Sequence, residues 1–434
     1  MGPPLKTACG SPVVIHHNVV LEERMHRENG RRACLTLIAL LGCGGSSAGG
    51  DASTDAAPAA PPKFVVCAAS VSPTGTTGLI YGIDSLAEGE VGLGEGVEVG
   101  GMGPTCSSAF GAAFGATSEG NIVQRFEPDE LGRLVPTDSV SFGPAGISSI
   151  SSGRAGAFLF LSETEALYID RRTGTFVRWN PAAMTFTDSF RIEEIDGPGI
   201  SVVRVRQGAV DNHLLLFVRY QEDGIFLKRS ILVNLNLSDF TYTLDEDTRC
   251  GGLFSHVRTS DGTTYFASGT FIASYDVLGI GDDPPAPCML RVLPGESEFD
   301  DSFFMELNDL TGMPTGNLLP AGGDSAFVLA YDTTAVDPSG VFTPLQFARE
   351  PSWRLFRVED VGTSTSATLV ESVPLRTGLL SEVVSLEGRR YQLRANEAEG
   401  RSTYVDITDI DNPIDGVRFL GAGPVSVTLL GEPR

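Results

Sequence analysis

Between Ala157 and Ile192 the chain carries four short apolar-aromatic runs, AFLFLS, EALYID, TFVRWN and FTDSFRI. They are separated by Glu163-Thr164, by Arg171-Arg172-Thr173-Gly174, and by Asn180-Pro181 with the residues after it. Gaps of this length have room for hairpin turns and none for crossover helices, so the unit reads as a four-stranded antiparallel meander. Its opening strand recurs as FVVCAAS from Phe64, AFGAAFGA from Ala109, AFLFLS from Ala157, LLLFVRY from Leu214, TTYFASG from Thr263, AFVLAYD from Ala326 and RRYQLRA from Arg389. A second run follows each: LIYGID, NIVQRF, EALYID, SILVNLN, FIASYDV, WRLFRV and TYVDIT.

Successive first strands are 45, 48, 57, 49, 63 and 63 residues apart. A period near 50 built from strand meanders predicts an all-β fold, a β-propeller of seven four-stranded antiparallel blades over residues 64–434. No WD or kelch marker fixes the phase of the repeat, and a two-domain β-sandwich is the structural alternative. GIGDDPPAPC (279–288) and DPSGVFTPLQFAREPS (337–352) are expected to lengthen loops, and the Gly-rich GEVGLGEGVEVGGMGP (89–104) to form an irregular outer edge of the first blade.

Composition agrees with this reading. The 434 residues include 51 Gly and 26 Pro, 41% are apolar, and no long Ala/Glu/Lys/Leu-rich periodic stretch is present. The formal charge is −24. Without residues 1–42, which hold five basic and three acidic side chains, the balance is 26 basic to 52 acidic. Nucleic acid binding needs clustered Lys and Arg to replace cations on phosphates, so that class of partner is excluded. An exported protein uses such a charge to stay soluble.

Ahead of the repeats, Met25 begins a basic segment MHRENGRR, an apolar stretch ACLTLIALLG and then Cys43, which is the layout of a secretory signal over residues 25–42. The apolar stretch is shorter than the roughly 20 residues that span a bilayer. Leu40-Leu41-Gly42-Cys43 resembles the bacterial lipobox, in which the thiol receives a diacylglycerol and becomes the mature N-terminus; Leu41 departs from the small residue usual there. Residues 44–62, GGSSAGGDASTDAAPAAPP, contain no large apolar side chain and read as a solvated tether. The expected organisation is a leader over 1–42, a lipidated Cys43 with its tether over 43–63, and the propeller. Ordinary cleavage with an incidental Cys43 is the alternative.

With Cys9 and Cys34 in the leader and Cys43 lipidated, Cys67, Cys106, Cys250 and Cys288 remain. An even count in an exported domain points to disulfides, and the short separations favour Cys67 with Cys106 and Cys250 with Cys288, against four buried thiols. No Cys/His grouping has zinc spacing. His213 and His256 each join an apolar run and read as structural. No GxSxG elbow supports a hydrolase. Acidic groups recur at Asp245-Glu246-Asp247, at Asp282-Asp283, at Glu298 to Asp301 and in DITDIDNPIDG from Asp406. The last offers oxygens to calcium but lacks the order of an EF-hand loop, so no cofactor is expected beyond that one candidate. Trp179 and Trp353 read as blade packing.

The segments FVVCAASVSPTGTTGLIYGIDSLAEGEV (64–91), NIVQRFEPDELGRLVPTDSVSF (121–142) and ETEALYIDRRTGTFVRWNPAAMTF (163–186) resemble the MxcI-like lipoproteins associated with myxochelin-type siderophore systems. They are also similar to propeller lipoproteins encoded beside outer-membrane iron receptors. The resemblance implies a lipid-anchored envelope protein serving iron acquisition, with a ferric siderophore or an outer-membrane iron receptor as partner; it carries over no catalytic or ligand residue. The expected function is therefore non-enzymatic binding. A periplasmic lactonase-like or other hydrolytic propeller, and an interaction scaffold unrelated to iron, are the alternatives.

Overall fold

The computed structural model describes residues 60–72, 75–99, 105–116, 120–150, 157–204, 212–281, 283–335, 340, 343–378, 383–396 and 401–431. The leader, Cys43, most of the tether and Asp282 lie outside them.

The described strands form seven sheets arranged as the blades of a β-propeller, each with four antiparallel strands, and one of them is joined at its edge by a fifth, parallel strand. Blade 3 is the unit read most directly from sequence: Phe158–Ser162, Glu165–Asp170, Thr175–Asn180 and Thr185–Arg191. Burial is nearly complete in its first two strands and is lost in the fourth, as expected when the inner strands face neighbouring blades on both sides and the last meets solvent. The same double covering makes Ser325–Tyr331, the second strand of blade 6, buried at every position. Seven hydrophobic clusters fill the seven junctions between adjacent blades, so the core is a ring of interfaces with no single centre.

The ring closes by exchange between the chain ends. The C-terminal strand Gly423–Leu429 is the innermost strand of blade 1 and runs antiparallel to Phe64–Ser72, with Val66 opposite Val427 and Phe64 opposite Leu429. In the Gly-rich stretch, Val97–Glu98 forms the outer edge of blade 1, while Glu90–Val91 crosses to blade 7 and pairs in parallel with Ile414–Leu420.

Three details of the repeat differ from the sequence expectation. Five of the seven opening runs are second strands of their blades, and only AFLFLS is an innermost strand. AFGAAFGA is not one strand: it ends Thr105–Ala109, turns at Phe110-Gly111 with φ of 52° and 78°, and begins Ala112–Ala116. Paired positive φ values make the two-residue turn whose twist suits a hairpin, and Phe110 takes a conformation that bulky residues rarely adopt. FIASYDV is not a strand either. Its second half enters a short helix, Ser274–Leu278, and the third strand of blade 5 is Cys288–Val292. The insertion over 337–352 holds a second short helix, Pro344–Arg349, whose Thr343 hydroxyl caps the Gln346 N–H at 3.1 Å.

Candidate functional site

The four cysteines expected in the folded domain form two disulfides, Cys67–Cys106 and Cys250–Cys288, with Cα atoms 6.1 and 5.7 Å apart. Neither joins hydrogen-bonded neighbours. Cys67 sits on the second strand of blade 1 and Cys106 on the innermost strand of blade 2, both buried, so that bridge ties two blades together. Cys250 lies in the approach to blade 5 and Cys288 on its third strand, within the cluster that packs blade 4 on blade 5.

The other sequence candidates have structural partners. His213 is exposed, and its Nδ1 lies 2.9 Å from Asn234 Oδ1. His256 is half-buried with its ring near Phe266. Trp179 packs among Phe114 and Phe142 of blade 2 and Phe158 and Phe160 of its own blade. Trp353 is fully buried beside Tyr331 and Phe347 and donates Nε1–H to the Phe347 carbonyl at 3.2 Å.

Among the acids, Asp247 pairs with Arg249, Glu246 with Arg229 and Asp283 with Lys228. Asp245 accepts from the Phe299 N–H at 2.7 Å. Hydrogen bonds from Ser302, then the Arg291 guanidinium, hold the Asp300 carboxyl down at about 2. In the calcium candidate, Asp406 accepts from Arg389 Nη1 and from the Thr408 N–H, while Asp409 accepts from the Asp411 N–H and Asn412 Nδ2. Those oxygens close turns and an ion pair. Among the described residues, no group of three or more His, Cys, Asp or Glu side chains converges to hold a metal.

Surface clefts among the described residues include two small ones. One of about 390 Å³ lies where blade 2 meets blade 3, lined by Ile147, Thr175, Ser189, Phe190 and Arg191. Its Arg191 donates to the Thr173 carbonyl and pairs with Asp196. The other, about 160 Å³, is bounded by Leu293, Glu298, Phe299 and Asp300.

The seam between blades 6 and 7 is different, and sequence reasoning did not single it out. The second strand of blade 7, Arg389–Asn396, alternates its side chains across the sheet. Tyr391 and Leu393 pack toward blade 1. Gln392 lies in register with Val383 and Val405, both of which belong to the cluster packed on blade 6, so Gln392 and Arg394 face that way. Arg376 reaches the same seam from the connection leaving blade 6. Its backbone exchanges two hydrogen bonds with Trp353, at 2.9 and 3.1 Å, which fix it on a fully buried residue.

Arg376 is close enough to Arg394 for the two guanidiniums to repel. Burial, then that repulsion, brings Arg376 down to about 9, and burial lowers Arg394 as well, with Asp415 acting weakly against it. Among the described residues, Arg376 Nε and Nη2, Arg394 Nη2 and both amide atoms of the fully buried Gln392 have no hydrogen-bond partner. Beside them Asn317, buried at φ 60°, donates to the Gly378 carbonyl at 3.4 Å and leaves its Oδ1 unpartnered. Buried polar groups without partners cost about 1–3 kcal/mol each, so the seam is a place where outside polar atoms are needed. The period-two polar positions in RRYQLRA were the available signal; Arg376, in VPLRTG, carries none.

No protein-family model and no curated protein matches the chain. Solved structures similar to it include a Bacteroides fragilis protein provisionally assigned as a 6-phosphogluconolactonase (11% identity, TM-score 0.47, covering 87% of this chain and 99% of that one). A Bacteroides uniformis protein with the same provisional assignment is 9% identical (TM-score 0.47, 85% and 99%), and apo AztD from Citrobacter koseri is 8% identical (TM-score 0.39, 85% and 98%). At these identities and scores the likenesses carry no functional argument, and the propeller rests on the strands of this chain.

Proposed function

We propose that the chain is an exported, lipid-anchored β-propeller that acts as a binding or accessory protein in siderophore-mediated iron acquisition, without catalysis. The observation that carries the exported part is the pair of disulfides buried between and within blades. Such bonds form and persist in an oxidising compartment. The signal-like segment before Cys43 and the solvated tether after it supply the route and the anchor. The iron part is supported by the resemblance of residues 64–91, 121–142 and 163–186 to siderophore-associated lipoproteins.

Mass spectrometry of the mature protein tests the anchor: a diacylated N-terminal Cys43 is expected, and an unmodified Cys43 preceded by Leu41-Gly42 overturns it. Ferric catecholates are expected to raise the unfolding temperature, and iron starvation to raise the abundance of the protein. Absence of both responses overturns the role in iron acquisition and leaves the fold and its export standing.

A further inference from the structure

We propose that the seam between blades 6 and 7 binds a small oxyanion that also carries a hydroxyl group, the class shared by α-hydroxycarboxylates and hydrogen phosphate. The site goes beyond the siderophore reading, because it requires neither iron nor the lipid anchor. The seam leaves several hydrogen bonds unmade. Among the described residues, Arg376 Nε and Nη2, Arg394 Nη2 and Gln392 Nε2 are donors without acceptors, and Gln392 Oε1 is an acceptor without a donor. A guanidinium has no acceptor to offer, so Arg376 and Arg394 cannot satisfy each other. Gln392 alone cannot serve both.

Charge narrows the choice. Two guanidiniums stand together in a chain with a formal charge of −24, and the acid felt there, Asp415, acts on Arg394 and not on Arg376. An anion between the two cations removes their repulsion and makes charge-assisted hydrogen bonds to both. The amide adds the second requirement. With the anion's oxygens directed at the arginines and at Gln392 Nε2, Gln392 Oε1 still needs an O–H, which a hydroxycarboxylate or hydrogen phosphate brings and acetate or sulfate does not. Gln392 is fully buried, and the half-buried Arg376 and Arg394 turn these unpartnered nitrogens away from solvent.

The test uses the purified full chain and four probes at equal ionic strength: glycolate against acetate, and phosphate against sulfate. Binding is read by calorimetry and by the unfolding midpoint, since a ligand that binds only the folded state raises it. Glycolate, phosphate or both are expected to bind at least tenfold more tightly than their hydroxyl-free partners; which of the two does so identifies the source. Arg376→Gln is expected to weaken that binding at least tenfold. Gln392→Glu, which places a carboxylate between the guanidiniums, is expected to raise the midpoint of the unliganded protein and to abolish the ligand-dependent rise. This variant keeps the test open if Arg376→Gln does not fold. Equal binding within both pairs overturns the proposal. So does binding that persists in Gln392→Glu, which marks an adventitious ion only, or no response to any probe, which leaves a seam filled by water.

Discussion

The Ser108 hydroxyl donates to the carbonyl of Leu429 at 2.5 Å and lies 2.7 Å from the Thr428 hydroxyl, joining residues more than 300 positions apart. Ser108 belongs to blade 2 and Leu429 to the C-terminal strand of blade 1, and Ser108 and Thr428 are both buried. The last strand is thus held by Phe64–Ser72 within its own sheet and by blade 2 across the junction.

Removing that strand opens the ring. A chain ending at Gly421 leaves the apolar edge of Phe64–Ser72 unpaired, and an exposed edge of that kind templates pairing with other chains. The expected result is loss of the cooperative thermal transition and a shift to aggregates on size exclusion. A peptide of residues 421–434 added in trans is expected to restore part of the transition by strand addition. A truncated chain that melts as sharply as the intact one overturns this account of closure.

The Cys67–Cys106 bridge acts on the same junction from the other side. Replacing both cysteines by serine removes a cross-link over a sequence separation of 39 and is expected to cost about 2–4 kcal/mol of stability. Urea denaturation under non-reducing conditions measures it, and added reductant is expected to bring the wild type toward the variant. A midpoint unaffected by reductant in the wild type means that neither bridge contributes.

How far the sequence carries is visible at particular residues. The period near 50 and the four runs of blade 3 translate directly into seven sheets, because inner strands covered on both faces leave continuous apolar runs. The phase of the repeat does not translate. Phe110 looks like a core residue until its positive φ makes it a turn, and FIASYDV has a strand's composition but folds partly as helix. Closure is invisible as well, since nothing in GPVSVTL says that it pairs with FVVCAASVS. At the candidate site, the alternation of Arg390, Gln392 and Arg394 is legible. That their face meets blade 6 and not water follows only once the ring is complete.

Acid is expected to weaken the fold through Asp332. Its carboxylate accepts from the Thr334 hydroxyl and N–H and pairs with Arg354. The Thr334 hydroxyl, then Arg354, outweigh burial and bring it down to about 2. An unfolded Asp titrates near 3.9, so the folded value is the depressed one. The stabilisation is then complete above about pH 4 and is lost as pH falls through about 2. Urea midpoints between pH 5 and pH 2 are expected to fall more steeply for the wild type than for Asp332→Asn; parallel slopes remove Asp332 from the acid response.

Gly416 tests the second contact that closes the ring. It precedes Val417 in the fourth strand of blade 7, and the Val417 N–H donates to the Leu86 carbonyl of blade 1 at 3.0 Å. A Cβ at Gly416 would stand 2.1 Å from that same Leu86 oxygen and 2.8 Å from the Tyr404 carbonyl. Both obstacles are backbone, so neither can swing aside, and Gly416→Ala must push the loop of blade 1 away from blade 7. The expected cost is about 1–3 kcal/mol, the usual range for overpacking a close contact. Gly120 supplies the control, since a Cβ there meets nothing within 4 Å. Gly120→Ala is expected to be neutral or to stabilise by up to about 1 kcal/mol, through the lower entropy of the unfolded chain. Hydrogen exchange locates the damage. The amides of Val417 and Arg418, which bond to Leu86 and Gly89, are expected to exchange faster in Gly416→Ala, while those of Leu216 and Val218 in blade 4 change only with global stability. Equal effects of the two substitutions would mean that blade 1 and blade 7 do not meet closely at Gly416, and the ring would then depend on Gly423–Leu429 and on the pairing of Glu90–Val91 with blade 7.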